Sequence, residues 1–207
     1  MNPEYIDIVY RSRITLLDIL EERGYDVEVY RKFSPDEITH AIGNYAGLSF
    51  TVKKKEDPTF VCEVRYEEKM GRQQTEAYPK DLDDIDIEKT ELVVITNPDN
   101  EISDYHHQRS LELYLKTKLK ISFFCVSYIV NNPTRHSLVP KHEIVPQKDH
   151  DALIKQLRLT KKTNLPLIRF HVDPIVRCLG ALLGDIIKIT RSSPSAGEYI
   201  VYRIVVP

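Results

Sequence analysis

A proline-rich break is the feature that most constrains how this chain can fold. Three of the sixteen residues in "NNPTRHSLVPKHEIVP", which begins at Asn131, are prolines. Proline fixes its own φ and lacks an N–H donor, so this segment suits neither a helix interior nor a central strand. The 207 residues are enough for one large domain or two small ones. We therefore predict two domains, 1–132 and 133–207.

Charge is distributed unevenly across this boundary. Up to Asn131 the chain carries 17 Lys and Arg against 25 Asp and Glu, a difference of −8. From Asn132 onward it carries 12 against 6, a difference of +6. Opposite signs suggest different partners for the two domains. The acidic part is not typical of a dedicated nucleic-acid binder, whereas the basic part suits either an acidic protein surface or nucleic acid.

The first part has the pattern of a mixed α/β domain. Helical spacing predicts a helix over residues 4–22, and Ser34 with Glu37 predicts a capping box at a second helix. Most of "NPDNEISDYHHQRSLELYLKTKLK" predicts a later helix, whose apolar positions are Ile102, Leu111, Tyr114 and Leu115. Four runs rich in β-branched and aromatic residues predict strands between these helices: "GLSFTV", "PTFVCEVRY", "TELVVITN" and "ISFFCVSYIV".

The second part has the pattern of a small α+β domain. "DPIVRCLG" predicts a short helix, with Asp173 as its cap, Pro174 at its first position and Gly180 as its stop. "LPLIRF", "DIIKITR" and "EYIVYRIVV" predict strands, and "SSPSAG" predicts a hairpin loop between the last two.

No catalytic residue, metal site or cofactor site is predicted. The histidines have no metal-ligand spacing, and no phosphate-binding glycine motif or nucleophile elbow occurs. No apolar run approaches the roughly 18 residues of a membrane helix, so no membrane partner is expected. Cys62, Cys125 and Cys178 are odd in number and lie in apolar runs, which favours buried, reduced thiols of a cytosolic or nuclear protein.

Two weak signals point to chemistry in the first domain. Asp99 and Glu63 follow or lie within strands, and with Lys69 they form a set that a metal-dependent nuclease would need. Solvated acids account for the same pattern. A modest basic set forms a candidate DNA-facing surface of weak, salt-dependent affinity, with a solvated face as its alternative; its members are Arg11, Arg13, Arg31 and Lys32.

The end of the chain carries a more specific series. "SLVPKHEIV", "LPLIRFHVDPIVRCLG", "GDIIKITR" and "SAGEYIVYRIV" resemble the assembly domain of the fifth subunit of eukaryotic-type DNA-directed RNA polymerases, a family that includes a shorter archaeal form. Order and spacing match without a gap from Leu165 to Arg203. "VYRSRITLLDILEERGYDV" resembles the opening of the N-terminal jaw domain of the long form, found in eukaryotes and large DNA viruses. At the Thr-Pro-Ser loop of cellular members this chain instead carries Thr96-Asn97-Pro98-Asp99, and an aspartate there would repel phosphate.

The resemblance implies a non-catalytic polymerase subunit. Its C-terminal domain would anchor on the largest subunit and meet other core subunits, and its jaw would lie along the downstream DNA, which it would contact weakly. No small-molecule substrate is implied. The residues expected to shape or make the docking surface are His142, Asp173, Pro174, Gly180, Gly184, Lys188, Arg191, Gly197, Tyr202 and Arg203.

Three functions stay open at this point: an integral polymerase subunit, a polymerase-binding regulator or mimic, and the metal-dependent nuclease. The expected location is the nucleus for a cellular protein, or the host cytoplasm and virion for a protein of a large DNA virus.

Overall fold

The chain divides into two compact units, 1–132 and 133–207. A computed structural model describes residues 3–78, 86–97, 100–193 and 197–207. Within those residues no helix has the length and apolar character needed to cross a membrane.

Unit 1 is a mixed α/β domain. Its elements are α1 (Pro3–Glu22), α2 (Pro35–Ile42), β1 (Phe50–Lys53), β2 (Val61–Glu67), α3 (Arg72–Ala77), β3 (Thr90–Thr96), α4 (Asp104–Thr117) and β4 (Lys120–Cys125). Its 3-10 helices are Glu28–Lys32, Tyr45–Leu48, Ile87–Lys89 and Val126–Ile129. The sheet has the order β1-β2-β3-β4; β1 is antiparallel to β2, and the other pairs are parallel. Every residue of β3 is buried, as expected for a parallel strand covered on both faces.

The capping box that the sequence predicts at the second helix is present at the start of α2. The Ser34 side chain accepts a hydrogen bond from the Glu37 N–H, and the Glu37 carboxylate accepts one from the Ser34 N–H at 2.7 Å. Gly24, at φ +88°, ends α1 with its N–H donating to the Glu21 carbonyl. The left-handed backbone at this position favours glycine.

The prediction for α4 was wrong in one respect. Leu113 is buried, whereas Leu115, which was expected in the core, is 55% exposed. The buried stripe of this helix is His106, Ser110 and Leu113. Two of these residues are polar, and both form hydrogen bonds within the domain. Ser110 donates to the Ile121 carbonyl at 2.7 Å, and His106 accepts from the Ser103 N–H at 3.1 Å. A pattern that counts only apolar residues cannot find such a stripe.

A buried ionic cluster joins α1 to the sheet. The Arg23 guanidinium pairs with the Glu91 carboxylate on β3, and the Tyr25 hydroxyl donates to the same carboxylate at 2.8 Å. Burial, with Glu91 close by, raises the pKa of the Cys62 thiol well above its ordinary value. Cys62, Cys125 and Cys178 are all buried and outside any disulfide, which confirms the prediction of buried, reduced thiols.

Unit 2 is a small α+β domain, so the predicted fold class is confirmed for both parts. Its elements are β5 (Lys141–Val145), α5 (His150–Gln156), β6 (Leu167–Arg169), α6 (Pro174–Leu179), β7 (Ile186–Ser193) and β8 (Gly197–Val206). Its 3-10 helices are Pro133–Arg135, Gln147–Asp149 and Lys162–Asn164. The sheet order is β5-β7-β8-β6, in which only β6 and β8 pair in parallel. α5 packs on one face through a core of Leu153, Leu165, Ile186 and Ile204.

Candidate partner-docking surface

Three of the predicted docking residues set the ends of α6. The Asp173 side chain accepts hydrogen bonds from the Ile175 and Val176 N–H groups at 2.9 and 3.0 Å. Pro174 follows at the start of the helix, where its missing N–H leaves no bond unmade. Gly180 closes the helix at φ +66°, in the left-handed region. Backbone geometry accounts for these three residue types.

Two further glycines hold turns in the same way. Gly184 lies at φ +85° just before β7, and Gly197 lies at φ +72° at the start of β8. A Cβ on Gly184 would meet the Lys162 ammonium at 3.5 Å, which is ordinary contact. Conformation rather than space therefore demands glycine at this turn.

The next group of predicted residues lines a groove of about 490 Å³ between β5, α5, β7 and β8. Lys188 and Tyr202 lie on its floor beside Glu143, and the apolar side of the groove includes Leu153 of α5. The Lys141 ammonium lies 2.7 Å from one Glu143 oxygen, and the Lys188 ammonium lies 3.7 Å from the other. The bond from Lys141, together with Lys188, lowers the pKa of Glu143 below its ordinary value.

The remaining predicted residues lie outside the groove. The Arg191 guanidinium is exposed and donates to the Tyr199 hydroxyl at 3.5 Å across the β7–β8 hairpin. Arg203 donates to the Leu167 carbonyl at 2.9 Å. The half-buried His142 ring has its Nδ1 2.6 Å from the Pro140 carbonyl.

Sequence reasoning missed a set of exposed apolar side chains in unit 2. Their exposed fractions range from 39% to 85%, and they are Leu138, Leu167, Val172, Tyr199 and Ile200. A run of apolar letters does not show where neighbouring strands end, so the sequence alone does not reveal which of these side chains stay exposed. Of these residues, Tyr199 and Ile200 are consecutive on β8 and Leu167 begins the neighbouring β6, so they mark an exposed apolar edge of this sheet.

The proposed DNA-facing surface of unit 1 needs correction at Arg13. This side chain is buried, and its guanidinium lies over the rings of Phe33, Phe50 and Tyr66 at 5.2, 4.5 and 5.9 Å from their centroids. It also donates to the Leu48 carbonyl at 2.7 Å. Arg13 therefore holds α1 against the sheet by cation–π contact and cannot face DNA.

The other three basic residues are placed differently. Arg31 donates to the carboxylates of Asp18 and Glu21, both at 2.7 Å, so neighbouring acids balance its charge. Arg11 is half-exposed, donates to the Asn131 side chain at 2.7 Å and lies 3.7 Å from Asp7. Lys32 is exposed. This arrangement offers little concentrated positive charge.

The nuclease set is not assembled by the described residues. Glu63 accepts a hydrogen bond from the Arg65 Nε at 2.8 Å, which engages the carboxylate in an ion pair on β2. Asp99 and Pro98 lie outside the described residues. Within 3–78, 86–97, 100–193 and 197–207, no group of three or more His, Cys, Asp or Glu side chains is arranged to hold a metal ion.

Comparison with known proteins bears on both units. Residues 131–205 match the family model described as RNA polymerase Rpb5, C-terminal domain. The chain is 29% identical to the DNA-directed RNA polymerases I, II, and III subunit rpabc1 of Dictyostelium discoideum, covering 98% of this chain and 100% of that protein. The corresponding subunit of Caenorhabditis elegans is 28% identical over 96% of this chain and 95% of its own length.

An archaeal relative matches a shorter part more strongly. The DNA-directed RNA polymerase subunit Rpo5 of Sulfurisphaera tokodaii is 46% identical over 80 residues, which cover 39% of this chain and 93% of the archaeal protein. That protein is therefore similar in size to unit 2.

Proposed function

Because the chain belongs to the Rpb5 family of RNA polymerase subunits, we propose that it is a structural subunit that docks on the largest polymerase subunit through unit 2. Catalysis then belongs to the assembled polymerase, of which this chain is a non-catalytic component. The observation that carries the proposal is that the strongest similarity to polymerase subunits lies in unit 2. The family model covers residues 131–205, and an archaeal polymerase subunit consists almost wholly of the part that matches.

The surface chemistry of unit 2 supports docking. A helix cap and glycines with positive φ angles fix the turns of this unit. Because a surface with fixed turns is already ordered, it loses little conformational entropy when it binds. The exposed Arg191 and Tyr199 are residue types that favour binding interfaces. An acidic partner surface complements the excess of basic residues in this unit.

Unit 1 is proposed as the jaw beside the downstream duplex, with only weak direct contact. Its acidic balance opposes DNA, Arg13 is buried, and Arg31 is paired with two carboxylates. Arg11 and Lys32 are left as the phosphate-facing candidates, and two cations give a shallow dependence of affinity on salt.

The proposed partners are the largest subunit and other core subunits of the polymerase, with no membrane and no small-molecule substrate. The proposed location follows from those partners. It is the nucleus for a cellular protein, or the host cytoplasm and virion for a protein of a large DNA virus.

The experiment is purification of the tagged full chain from its own host system at moderate salt. The proposal predicts the polymerase core at equal stoichiometry, with tight retention through successive washes. Arg191→Glu is expected to lower the recovered core by roughly tenfold, because it reverses a charge at the docking surface. Lys148→Glu makes the same charge change at another exposed position and serves as the control.

A regulator or mimic would give a different result from the same purification. It would associate below equal stoichiometry and exchange off the core during washing. Recovery of the wild-type chain without any polymerase subunit would overturn the proposal.

A further inference from the structure

The last strand of unit 2 has one side that is only partly paired. β8 pairs with β7 over Gly197–Ile204, but on its other side it pairs with β6 only from Ile204 to Val206. Within the described part of the chain, no strand pairs with that side of β8 between Gly197 and Arg203. The sheet therefore has a notch about seven residues long beside β6.

Backbone alternation shows which groups point into the notch. The Ile204 N–H donates to the Pro166 carbonyl on the β6 side at 2.9 Å, whereas the Val205 N–H donates on the other side, to the Asp185 carbonyl. Backbone groups of successive strand residues point to opposite sides. The N–H and C=O of Tyr202, Ile200 and Glu198 therefore point to the same side as those of Ile204, into the notch.

The chain itself explains why β6 does not fill this space. Pro166, which precedes β6, has no N–H to donate, and residues 162–164 before it form a 3-10 helix rather than a strand. The Leu165 side chain then enters the core beneath α5. These residues cannot serve the core and extend β6 along the notch at the same time.

Exposed side chains accompany the open backbone. Ile200 is 50% exposed and Tyr199 is 43% exposed, on opposite faces of β8. A long, open and apolar strand edge is a template for another strand, and proteins that leave one uncovered risk aggregation. The edge carries only Glu198 and Arg203 as charged interruptions.

We propose that an extended segment of the polymerase core adds to this edge as a further strand, pairing with β8 between Glu198 and Tyr202. This inference rests on the proposed function and identifies the chemistry of the docked partner. Main-chain hydrogen bonds would supply much of the affinity in this binding mode, and alternate side chains would supply specificity.

The two faces of the sheet define the partner's sequence pattern. Ile200, Tyr202 and Leu167 lie on the face that α5 covers in part, so the partner's residues on that face are apolar. Arg203 and Arg191 lie on the opposite face, so the partner's residues there are acidic. The expected segment alternates apolar and acidic residues over about five positions.

A second copy of this chain is a poorer occupant of the edge. From Asn132 onward the chain carries 12 basic against 6 acidic residues, so pairing two copies of unit 2 through this edge would bring two positively charged domains together, which is unfavourable. Charge complementarity therefore favours an acidic segment from another subunit.

The test uses two substitutions at Ile200 in the full chain. Ile200→Pro removes the N–H that points into the notch while leaving the β7–β8 hydrogen bonds, which use alternate residues, in place. Ile200→Thr keeps both the N–H and β-branching, so it controls for the lost apolar side chain. Co-purified polymerase core is expected to fall by roughly tenfold or more for Ile200→Pro and by roughly threefold or less for Ile200→Thr.

Photo-crosslinking from position 199 identifies the occupant. The expected product joins this chain to a core-subunit peptide that alternates apolar and acidic residues.

Recovery of the polymerase core by Ile200→Pro at the wild-type level overturns the inference and leaves the proposed function standing, whereas failure of the wild-type chain to recover the core overturns both. A crosslink between two copies of this chain, with a dimer in sedimentation that Ile200→Pro abolishes, also overturns it. As a control, the midpoint of thermal unfolding of Ile200→Pro must match that of wild type. If the midpoint is lower, the same test is made with Glu198→Pro, because the Glu198 N–H of the wild-type chain points into the notch as well.

Discussion

The two units use their polar residues in opposite ways. Unit 1 directs charges inward or against each other: Arg13 lies in an aromatic cage, and Arg23 pairs with Glu91 inside the fold. Unit 2 uses side-chain and glycine geometry to fix its turns, and it leaves Arg191, Tyr199 and Ile200 exposed. Unit 1 uses these charged groups for its own stability, whereas unit 2 leaves Arg191 exposed, where the proposed partner would meet it.

The largest expected effect tests the internal ion pair. Glu91→Gln removes the carboxylate charge that faces Arg23, and breaking a buried pair in this way is expected to cost about 3–5 kcal/mol. Urea unfolding followed by hydrogen exchange at the amides of β3 measures the loss. Glu88→Gln, at an exposed position, is expected to cost less than about 0.5 kcal/mol. Equal effects of the two variants would remove the claim that unit 1 depends on buried charge.

Arg13 and Arg11 provide a second comparison within α1. Arg13→Ala removes a buried side chain and its bond to the Leu48 carbonyl, so we expect a loss of about 2–4 kcal/mol. Arg11→Ala removes a half-exposed side chain and is expected to cost less than about 1 kcal/mol. Urea unfolding again measures both. A DNA-binding defect in a folded Arg13→Ala protein would contradict the assignment of this residue to the core.

Removing the N-terminal cap of α6 tests whether the stability of unit 2 depends on its turn geometry. Asp173→Ala removes two hydrogen bonds to helix N–H groups and is expected to cost about 1–2 kcal/mol. Asp149 is the matched control because it precedes α5 without a side-chain cap bond, so Asp149→Ala should cost less than about 0.5 kcal/mol. Thermal unfolding of both variants gives the ordering, and the reverse ordering would contradict it.

The smallest expected effect is a pH dependence at His106. The Ser103 N–H donates to His106 Nδ1 at 3.1 Å, so the imidazole is neutral in the folded state, and burial lowers its pKa. Above its ordinary value of 6.5 both folded and unfolded forms are neutral, and this contribution to stability is constant. As the pH falls below 6.5 the unfolded chain binds a proton first, so the free energy of unfolding decreases.

His106→Gln isolates that contribution. Glutamine at this position keeps an acceptor for the Ser103 N–H, as in a standard capping box, but does not titrate. The free energy of unfolding of the variant should change less than that of wild type between pH 6.5 and pH 5.5. Identical pH profiles would show that the ring is neutral for another reason or accessible to protons in both states.

The sequence predicted the parts of the fold that depend on local chemistry. The capping box at Ser34, the cap at Asp173 and the stop at Gly180 each need only a few neighbouring residues, and the structure contains all three. The prediction of which α4 residues are buried failed because Ser110 and His106 are buried polar residues, each with a hydrogen bond that the apolar pattern of the helix does not include. Helix propensity is a property of each residue type alone, so it contains no information about such hydrogen-bond partners.

The candidate site divides in the same way. The glycines and Asp173 were identified from their turn chemistry, whereas the burial of Arg13 depends on three aromatic rings far apart in the sequence. The open edge of β8 depends on where β6 ends, which no pattern within β8 reveals. The resemblance to a family pointed to the function, and the structure shows the open strand edge on which the docking proposal rests.

Hydrogen exchange of the full chain, free and within the purified polymerase core, tests docking through unit 2 most directly. We predict that binding slows exchange in unit 2, most strongly at the amides of Ile200 and Tyr202, which point into the open edge. Exchange at Ile204, already bonded to Pro166, should change little by comparison. Protection confined to α1 and the rest of unit 1, with unit 2 unchanged, would contradict docking through unit 2.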